Sequence, residues 1–221
     1  MKNVLFLFLL SAVLVSSAAQ SYVQNMDATG RAAVEERRDM SVFLQLLPGG
    51  SLGKIADTCA SIPSLSCSVS GNIMTTRIQL GPDSGYYSFD TQYGLPFLTT
   101  TLTVNRLPTD MFDASVSDIM NKAGVTSGKG RAAPIDLNDK GANAATAAAW
   151  KEAGLDIDYS IVMPNGHTET YRLTDLLADS HPIVITTQEP DFGLMALIIG
   201  ILVLAAFAFS FFGKRKKAGK R

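Results

Sequence analysis

The chain has 221 residues, 47% of them hydrophobic and 18% charged, with a formal net charge of −1. All 20 acidic residues, but only 12 of the 19 basic ones, lie between Asp27 and Asp191. That portion therefore carries a formal charge of −8, which disfavours binding to the phosphate backbone of nucleic acids.

Residues 1–19 are predicted to be a signal peptide. Lys2 provides a positive start, the run at 4–15 is apolar, and small residues follow it, as a signal peptidase requires. Cleavage after Ala19 leaves an extracytoplasmic domain at residues 20–190. The alternative is an uncleaved N-terminal anchor, in which a first membrane helix continues into the next segment and both chain ends lie in the cytoplasm.

The segment after Ala19 carries a stripe of mostly apolar or small residues, interrupted by one arginine, at alternating spacings of three and four. This spacing predicts a helix over 28–47, ended by Pro48, which forms either a coiled-coil seam or an amphipathic face packed on its own domain. The members of the stripe are Val23, Met26, Gly30, Ala33, Arg37, Met40, Leu44 and Leu47.

The two cysteines of the chain, Cys59 and Cys67, both fall in the predicted extracytoplasmic part. An even number of cysteines in an oxidising compartment favours a structural disulfide over a redox pair or a metal site. A short helix is predicted over Leu52–Ala60, with Ser51 as its cap. The disulfide is expected to tie the end of this helix to the loop beyond it and to contribute about 2–3 kcal/mol.

The next segment predicts three strands. β-Branched and aromatic residues favour strands over 73–80, 86–92 and 99–105, and the turn at 81–85 makes the first two a predicted hairpin. Three tyrosines lie near this turn and are expected either to pack on the sheet or to form a contact surface for carbohydrate or protein: Tyr86, Tyr87 and Tyr93.

The second half of the domain alternates helical and strand patterns. Helices are predicted over 109–123, 142–153 and 174–179, and strands over 156–163, 168–173 and 182–187. Asn138 or Asp139 caps the second helix, and the turn Asn165-Gly166 joins the first two strands. Hairpins with helices grouped between them predict an α+β fold with an antiparallel sheet and several helices.

Recognisable catalytic and ligand-binding motifs are missing from the sequence. The two histidines, His167 and His181, lie in predicted loops, and no Gly-x-Ser-x-Gly motif accompanies them. The glycine-rich segment 124–130 lacks the first glycine and the final Ser or Thr of a phosphate-binding loop. Asp136, Asn138 and Asp139 do not continue into a calcium-binding loop and suit a helix cap. No cofactor and no metal are therefore predicted.

The C-terminal segment predicts the location of the protein. Residues 194–212 are uncharged and long enough to cross the hydrocarbon core of a bilayer as a helix, and six cations follow in the tail 213–221. The positive charge predicts a cytoplasmic C-terminus. Small residues four apart are expected to allow close contact with another helix: Ala196 with Gly200, and Ala206 with Ser210.

These patterns predict a single-pass, membrane-anchored structural or interaction protein of the cell envelope, or an accessory subunit of a membrane complex. Its expected partners are the lipid bilayer and a membrane or envelope protein, which includes a second copy of the chain. The alternative is a surface-anchored hydrolase whose site is assembled from residues distant in sequence.

Overall fold

A computed structural model describes residues 19–41, 52–61, 66–94, 96–112, 134–152 and 157–218, with side chains described as far as 208 in the last range. The predictions for residues 1–18, 42–51 and 113–133 lie outside the described residues. Two compact units are present. The larger contains the described residues up to Phe89 and those of Leu102–Ile185, and the smaller contains Asp90–Thr101 and the chain from Thr186 onward.

The described helices are α1 (Leu52–Ala60), α2 (Lys140–Glu152), α3 (Leu173–Asp179) and α4 (Phe192–Ala218). The strands are β1 (Ala19–Met26), β2 (Ala32–Asp39), β3 (Ser66–Ser70), β4 (Ile73–Leu80), β5 (Tyr87–Gly94), β6 (Phe97–Val104), β7 (Arg106–Leu107), β8 (Ile135–Asp136), β9 (Asp158–Val162), β10 (Thr168–Arg172) and β11 (Ile183–Pro190). The fold is mixed α+β, as predicted. The predicted helix α1 and strand β4 agree with the structure residue for residue.

The helix predicted over residues 28–47 is wrong, because β1 and β2 form an antiparallel hairpin there. Gly30 closes the turn between them. Its amide donates a hydrogen bond to the Asp27 carbonyl at 3.0 Å, and its φ of +78° favours glycine. In β2, Ala32, Val34 and Glu36 are fully buried on one face, whereas Glu35 is half-buried and Arg37 is exposed. The predicted stripe of residues spaced three and four apart runs across both strands and the turn between them. The buried Glu36 concealed the alternation of apolar and polar residues that is typical of a strand.

A six-stranded sheet with the order β10-β9-β1-β2-β4-β3 forms the centre of the larger unit. Four of its neighbouring pairs are antiparallel. The pair β1–β9 is parallel, so the sheet is mixed and not purely antiparallel as predicted. A parallel pair requires a long crossover, and most of the larger unit separates these two strands in the sequence.

The hairpin predicted between β4 and β5 is also wrong. Strand β5 belongs to a second sheet with the order β11-β6-β5. A short 3₁₀ helix, Pro82–Ser84, and Gly85 at φ +79° separate the two strands. Tyr87 nevertheless ties the start of β5 to the first sheet, because its buried hydroxyl lies 2.8 Å from the Gly30 carbonyl oxygen and 3.0 Å from that of Leu80.

The main core lies on one face of the six-stranded sheet. It contains side chains from β1, β2, β4 and β9 together with residues of α2, α3 and the start of β11, among them Val34, Ile78, Ile161, Leu177 and Ile185. The other face carries Glu35, Thr75 and Arg77, which are more exposed. A half-solvated sheet of this kind typically alternates apolar and polar residues along each strand.

The predicted disulfide between Cys59 and Cys67 is confirmed, with Cα atoms 5.3 Å apart. It joins the last turn of α1 to β3, an edge strand of the six-stranded sheet, where a loop was predicted. The hairpin of β9 and β10 around Asn165-Gly166, the helices α2 and α3, and the final strand β11 are confirmed with shifted ends.

Candidate functional site

The start of α4 is the first part of the candidate site. Asp191 alone separates this helix from β11. Its side-chain Oδ1 accepts a hydrogen bond from the Leu194 amide at 2.9 Å, and its carbonyl oxygen accepts one from the Met195 amide at 2.9 Å. A capping aspartate satisfies amides that lack partners within the helix. Strand and apolar helix are therefore joined without a flexible linker.

Most of the described apolar side chains of α4 are exposed, whereas Leu194 and Met195 at its start are half-buried. Leu204 is 72% exposed and Phe207 70%, and other large apolar residues of the helix follow the same pattern: Leu197, Ile198, Ile199, Ile201, Leu202 and Val203. Within the residues that the structure describes, however, no helix reaches the length and apolar character that crossing a membrane requires. The membrane span predicted over 194–212 stays a prediction.

The small residues predicted as helix contacts lie on two faces of α4. Ala196 and Gly200 are one turn apart and exposed, and a Cβ atom added at Gly200 would meet no atom within 4 Å. Ala206 is also exposed but lies roughly 120° around the helix from Gly200. The side chain of Ser210 is outside the described set. Ala196 and Gly200 thus share one surface, and Ala206 belongs to another.

The tip of the β5–β6 hairpin, which comprises Gly94 and Pro96 among the described residues, is the second part of the site and lies beside the start of α4. The Asp191 amide donates a hydrogen bond to the Pro96 carbonyl oxygen at 3.0 Å, and the hydroxyls of Thr101 and Thr186 are 3.3 Å apart further along the same strands. Two aromatic residues flank the tip: Tyr93 is 76% exposed and Phe97 48%. The sequence offered a signal, namely aromatic residues on both sides of a Gly-x-Pro segment, but not its position beside α4.

The three tyrosines near residues 81–85 have different environments. Tyr87 is buried in the core, whereas Tyr93 is exposed in the smaller unit. The Tyr86 hydroxyl lies 3.0 Å from each carboxylate oxygen of Asp110, and burial, together with this carboxylate, raises the pKa of Tyr86 to about 12. Tyr86 and Tyr87 are packing residues, so a shared contact surface of all three is not formed.

His167, the residue immediately before the edge strand β10, forms a group with two side chains of that strand, Glu169 and Tyr171. Its Nε2 lies 3.1 Å from Oε1 of Glu169, and the Tyr171 hydroxyl donates a hydrogen bond to the other carboxylate oxygen. Both hydrogen bonds lower the pKa of Glu169, and the bond from Tyr171 has the larger effect. A carboxylate that orients an imidazole is one part of a general-base arrangement. His181 lies apart from this group, exposed between α3 and β11.

A row of polar residues crosses the core face of the six-stranded sheet. The register places one residue from each strand in line, in the order Tyr171, Tyr159, Tyr22, Glu36, Thr76 and Cys67. Glu36 and Thr76 are fully buried. The Glu36 Oε1 atom accepts hydrogen bonds from the Tyr22 hydroxyl at 3.1 Å and from Arg38 Nη2 at 2.5 Å. Burial raises the pKa of Tyr159, whose hydroxyl bonds to the Gln24 side chain.

Two residues of this row, Tyr22 and Tyr159, lie beneath a shallow depression. The depression also contacts Leu107 and Leu173 and contains no space for a water molecule. Sequence reasoning missed the row, because the register across strands from both halves of the chain creates it.

The two acidic residues before α2 stabilise the start of the helix and the turn that precedes it. Asp139 accepts a hydrogen bond from the Ala142 amide at 3.1 Å, and Asp136 accepts one from the Asn138 amide at 3.0 Å, which lowers the Asp136 pKa. In the described part of the chain, no group of three or more histidine, cysteine, aspartate or glutamate side chains is arranged to hold a metal ion. The cap predicted at Asn138 or Asp139 is thus formed by Asp139.

Comparison of the chain with protein-family profiles, with curated protein sequences and with solved structures finds no match.

Proposed function

We propose that this protein is an extracytoplasmic interaction protein of the cell envelope, anchored by residues 194–212 with the basic tail 213–221 in the cytoplasm. The observation that carries the proposal is the direct passage of β11 into α4 through the cap at Asp191. Residues 192–212 of α4 carry no charge, and the large apolar side chains exposed there are stable where lipid or another apolar surface covers them.

The proposed partner is a second transmembrane helix, from another membrane protein or from a second copy of this chain. Ala196 and Gly200 are exposed on one surface of α4, and small residues four apart allow two helix backbones to approach closely. The partner's helix packs on this surface of α4.

Membrane fractionation tests the anchor. We expect the full chain to stay in the membrane pellet after alkaline carbonate washing and to be released by detergent. A variant with Leu197, Ile201 and Leu204 replaced by aspartate should move to the soluble fraction, because charged residues at the centre of a span cost several kcal/mol. Release of the unmodified chain by carbonate would overturn the anchoring proposal.

Crosslinking in mild detergent tests the partner helix. We expect Gly200→Leu to reduce recovery of the crosslinked complex several-fold, because the added side chain separates the backbones. The matched control is Leu202→Phe, which enlarges a side chain about 200° around the helix from Gly200. This variant should leave the complex intact. Equal loss in both variants would argue against a contact through Ala196 and Gly200.

The alternative function is a surface-anchored hydrolase, and the pairing of His167 with Glu169 favours it. In that mechanism Glu169 orients His167, which serves as the general base. A panel of chromogenic esters and peptides assayed with the full chain tests it. Activity that His167→Ala abolishes and His181→Ala retains would support the hydrolase, and activity unaffected by His167→Ala would exclude this site.

A further inference from the structure

We infer that the tip of the β5–β6 hairpin, flanked by Tyr93 and Phe97, lies in the interfacial layer of the outer leaflet and forms a second contact with lipid. This inference rests on the proposed anchoring through α4. It adds to that proposal a surface outside the helix, together with the chemistry of the lipid region that the surface contacts.

The position of the tip is the first argument. The Pro96 carbonyl oxygen lies 3.0 Å from the amide nitrogen of Asp191, the residue immediately before α4. The predicted span begins at Leu194, roughly 4.5 Å further along the helix axis. The headgroup layer on each side of a bilayer is roughly 5–8 Å thick. The tip is therefore at the depth of the headgroups when α4 spans the membrane.

The exposed aromatic surface is the second argument. Tyr93 is 76% exposed, Phe97 48% and Phe192, which follows Asp191 directly, 72%. Burial of apolar area away from water is favourable, so these side chains gain by leaving water. Tyrosine and tryptophan are enriched where membrane proteins cross the headgroup layer, and phenylalanine also inserts at that boundary.

The backbone of the tip suits a less polar layer. Pro96 has no amide hydrogen, and its carbonyl oxygen already accepts the bond from Asp191. Unpaired backbone groups are costly where water is scarce. One of the tip residues therefore enters the interface with its backbone polar groups already satisfied.

Charge selects the kind of lipid contact. The smaller unit contains no lysine or arginine before Lys214, whereas Asp90, Glu189 and Asp191 are acidic. Attraction to anionic headgroups requires basic residues. The contact is therefore apolar and aromatic, made with zwitterionic lipid, and insensitive to salt.

Quenching of tryptophan fluorescence by brominated lipid tests the inference on the full chain in phosphatidylcholine vesicles. The single native tryptophan, Trp150, is first replaced by phenylalanine. Phe97→Trp then reports on the tip. The matched control is Thr101→Trp, on the same strand and roughly 13 Å away. Thermal unfolding of each variant, compared with the parent, shows that the domain is folded.

We expect lipid brominated near the glycerol end of its acyl chains to quench Phe97→Trp several-fold more than Thr101→Trp, with no loss of quenching when salt is raised. Equal, weak quenching of both variants in protein that floats with the vesicles would overturn the second contact and leave the anchor intact. Protein that fails to float would overturn the anchor and, with it, this inference. If salt abolishes the quenching, headgroup charge holds the tip and the apolar contact is rejected.

Discussion

At the scale of single residues, the ion pair between Glu36 and Arg38 places two charges in or next to the core, where burial of charge is costly. The Glu36 side chain has no exposed surface, and Arg38 is 14% exposed. Bringing two charges out of water costs several kcal/mol, which close geometry and further hydrogen bonds must offset. Here the Tyr22 hydroxyl supplies one such bond.

Removal of Arg38 should be strongly destabilising. Arg38→Met keeps an unbranched apolar side chain but leaves a buried carboxylate without its cation, so we expect a loss of about 3–5 kcal/mol in the free energy of unfolding. Urea unfolding of the full chain in nonionic detergent measures it. The variant Arg38→Met with Glu36→Leu should recover part of the loss, because both charges are then gone.

Strand β2 and its neighbour β4 contain a matched control pair on the opposite face of the sheet. Arg77 lies 3.6 Å from Glu35, and both side chains are partly exposed. Surface pairs contribute less than about 1 kcal/mol, so Arg77→Met should change the stability little. Similar losses for Arg38→Met and Arg77→Met would show that burial does not determine the strength of the first pair.

Glu169 predicts a dependence of stability on pH. Its pKa is lowered in the folded state, so its contribution is present above the ordinary pKa of a glutamate and is lost as the pH falls through the lowered value. Glu169→Gln should therefore cost less than about 1 kcal/mol near neutral pH, because the group is partly exposed. The difference should vanish at low pH. Urea unfolding at several pH values measures it.

Tyr171 supplies the control for this prediction, because its hydrogen bond is the larger cause of the lowered Glu169 pKa. In a Tyr171→Phe background, the pH-dependent difference between glutamate and glutamine at position 169 should become smaller. An unchanged difference would assign the effect to another neighbour, such as His167.

At the scale of elements, two hairpin turns of the six-stranded sheet have the same backbone geometry. Each places glycine in the left-handed region, Gly30 at φ +78° and Gly166 at φ +85°, and each glycine amide donates to the carbonyl oxygen three residues earlier. Their surroundings differ. A Cβ atom at Gly30 would lie 2.8 Å from Cδ1 of Phe89, whereas one at Gly166 would meet nothing within 4 Å.

Alanine at these two positions separates backbone strain from crowding. Gly166→Ala should cost about 1–2 kcal/mol, because only the positive φ is unfavourable. Gly30→Ala should cost roughly 1–3 kcal/mol more, since the ring of Phe89 must also move. Thermal or urea unfolding of both variants measures the difference. Equal costs would mean that Phe89 adjusts freely.

The elements that the sequence predicted well have local signals. Helix α1 and strand β4 follow glycine or loop residues and have regular patterns, and the turn Asn165-Gly166 marks its own hairpin. The hairpin of β1 and β2 was missed because a polar residue, Glu36, occupies a core position of β2. The contacts that Glu36 makes in the folded sheet allow a polar residue at a position where strand patterns predict an apolar one.

Features that depend on distant residues could not be predicted. The turn after β4 indicated a local hairpin, but β5 pairs with β6, and the partner of β1 on its other side is β9. For the candidate site, the composition of α4 was readable from the sequence. The hydrogen bond between Asp191 and Pro96 was not, because it joins segments almost a hundred residues apart.

At the scale of the whole molecule, acidic and basic residues lie on opposite sides of the proposed membrane span. Acidic residues end at Asp191, and the next charged residue is Lys214, on the other side of the proposed span. Basic residues next to a membrane helix favour the cytoplasmic side. The cations of the tail should therefore determine which side the C-terminus occupies.

Replacement of the tail cations by glutamine should reduce the fraction of molecules with a cytoplasmic C-terminus. The positions are Lys214, Arg215, Lys216, Lys217, Lys220 and Arg221. Protease protection of a C-terminal tag measures this fraction. A control with Arg215→Lys and Arg221→Lys keeps the charge and should behave like the unmodified chain. An unchanged fraction in the glutamine variant would mean that another segment sets the orientation.

The parallel pairing of β1 with β9 has a consequence for the synthesis of the chain. Tyr159 and Gln24, which bond to each other, are separated by 135 residues. During ribosomal elongation, β1 and β2 emerge long before β9, so one edge of β1 has no partner until most of the domain has been made. Contacts between such distant segments slow folding, because a long loop must close first. We expect the early hairpin to depend on chaperones until β9 arrives, and the sheet to assemble late.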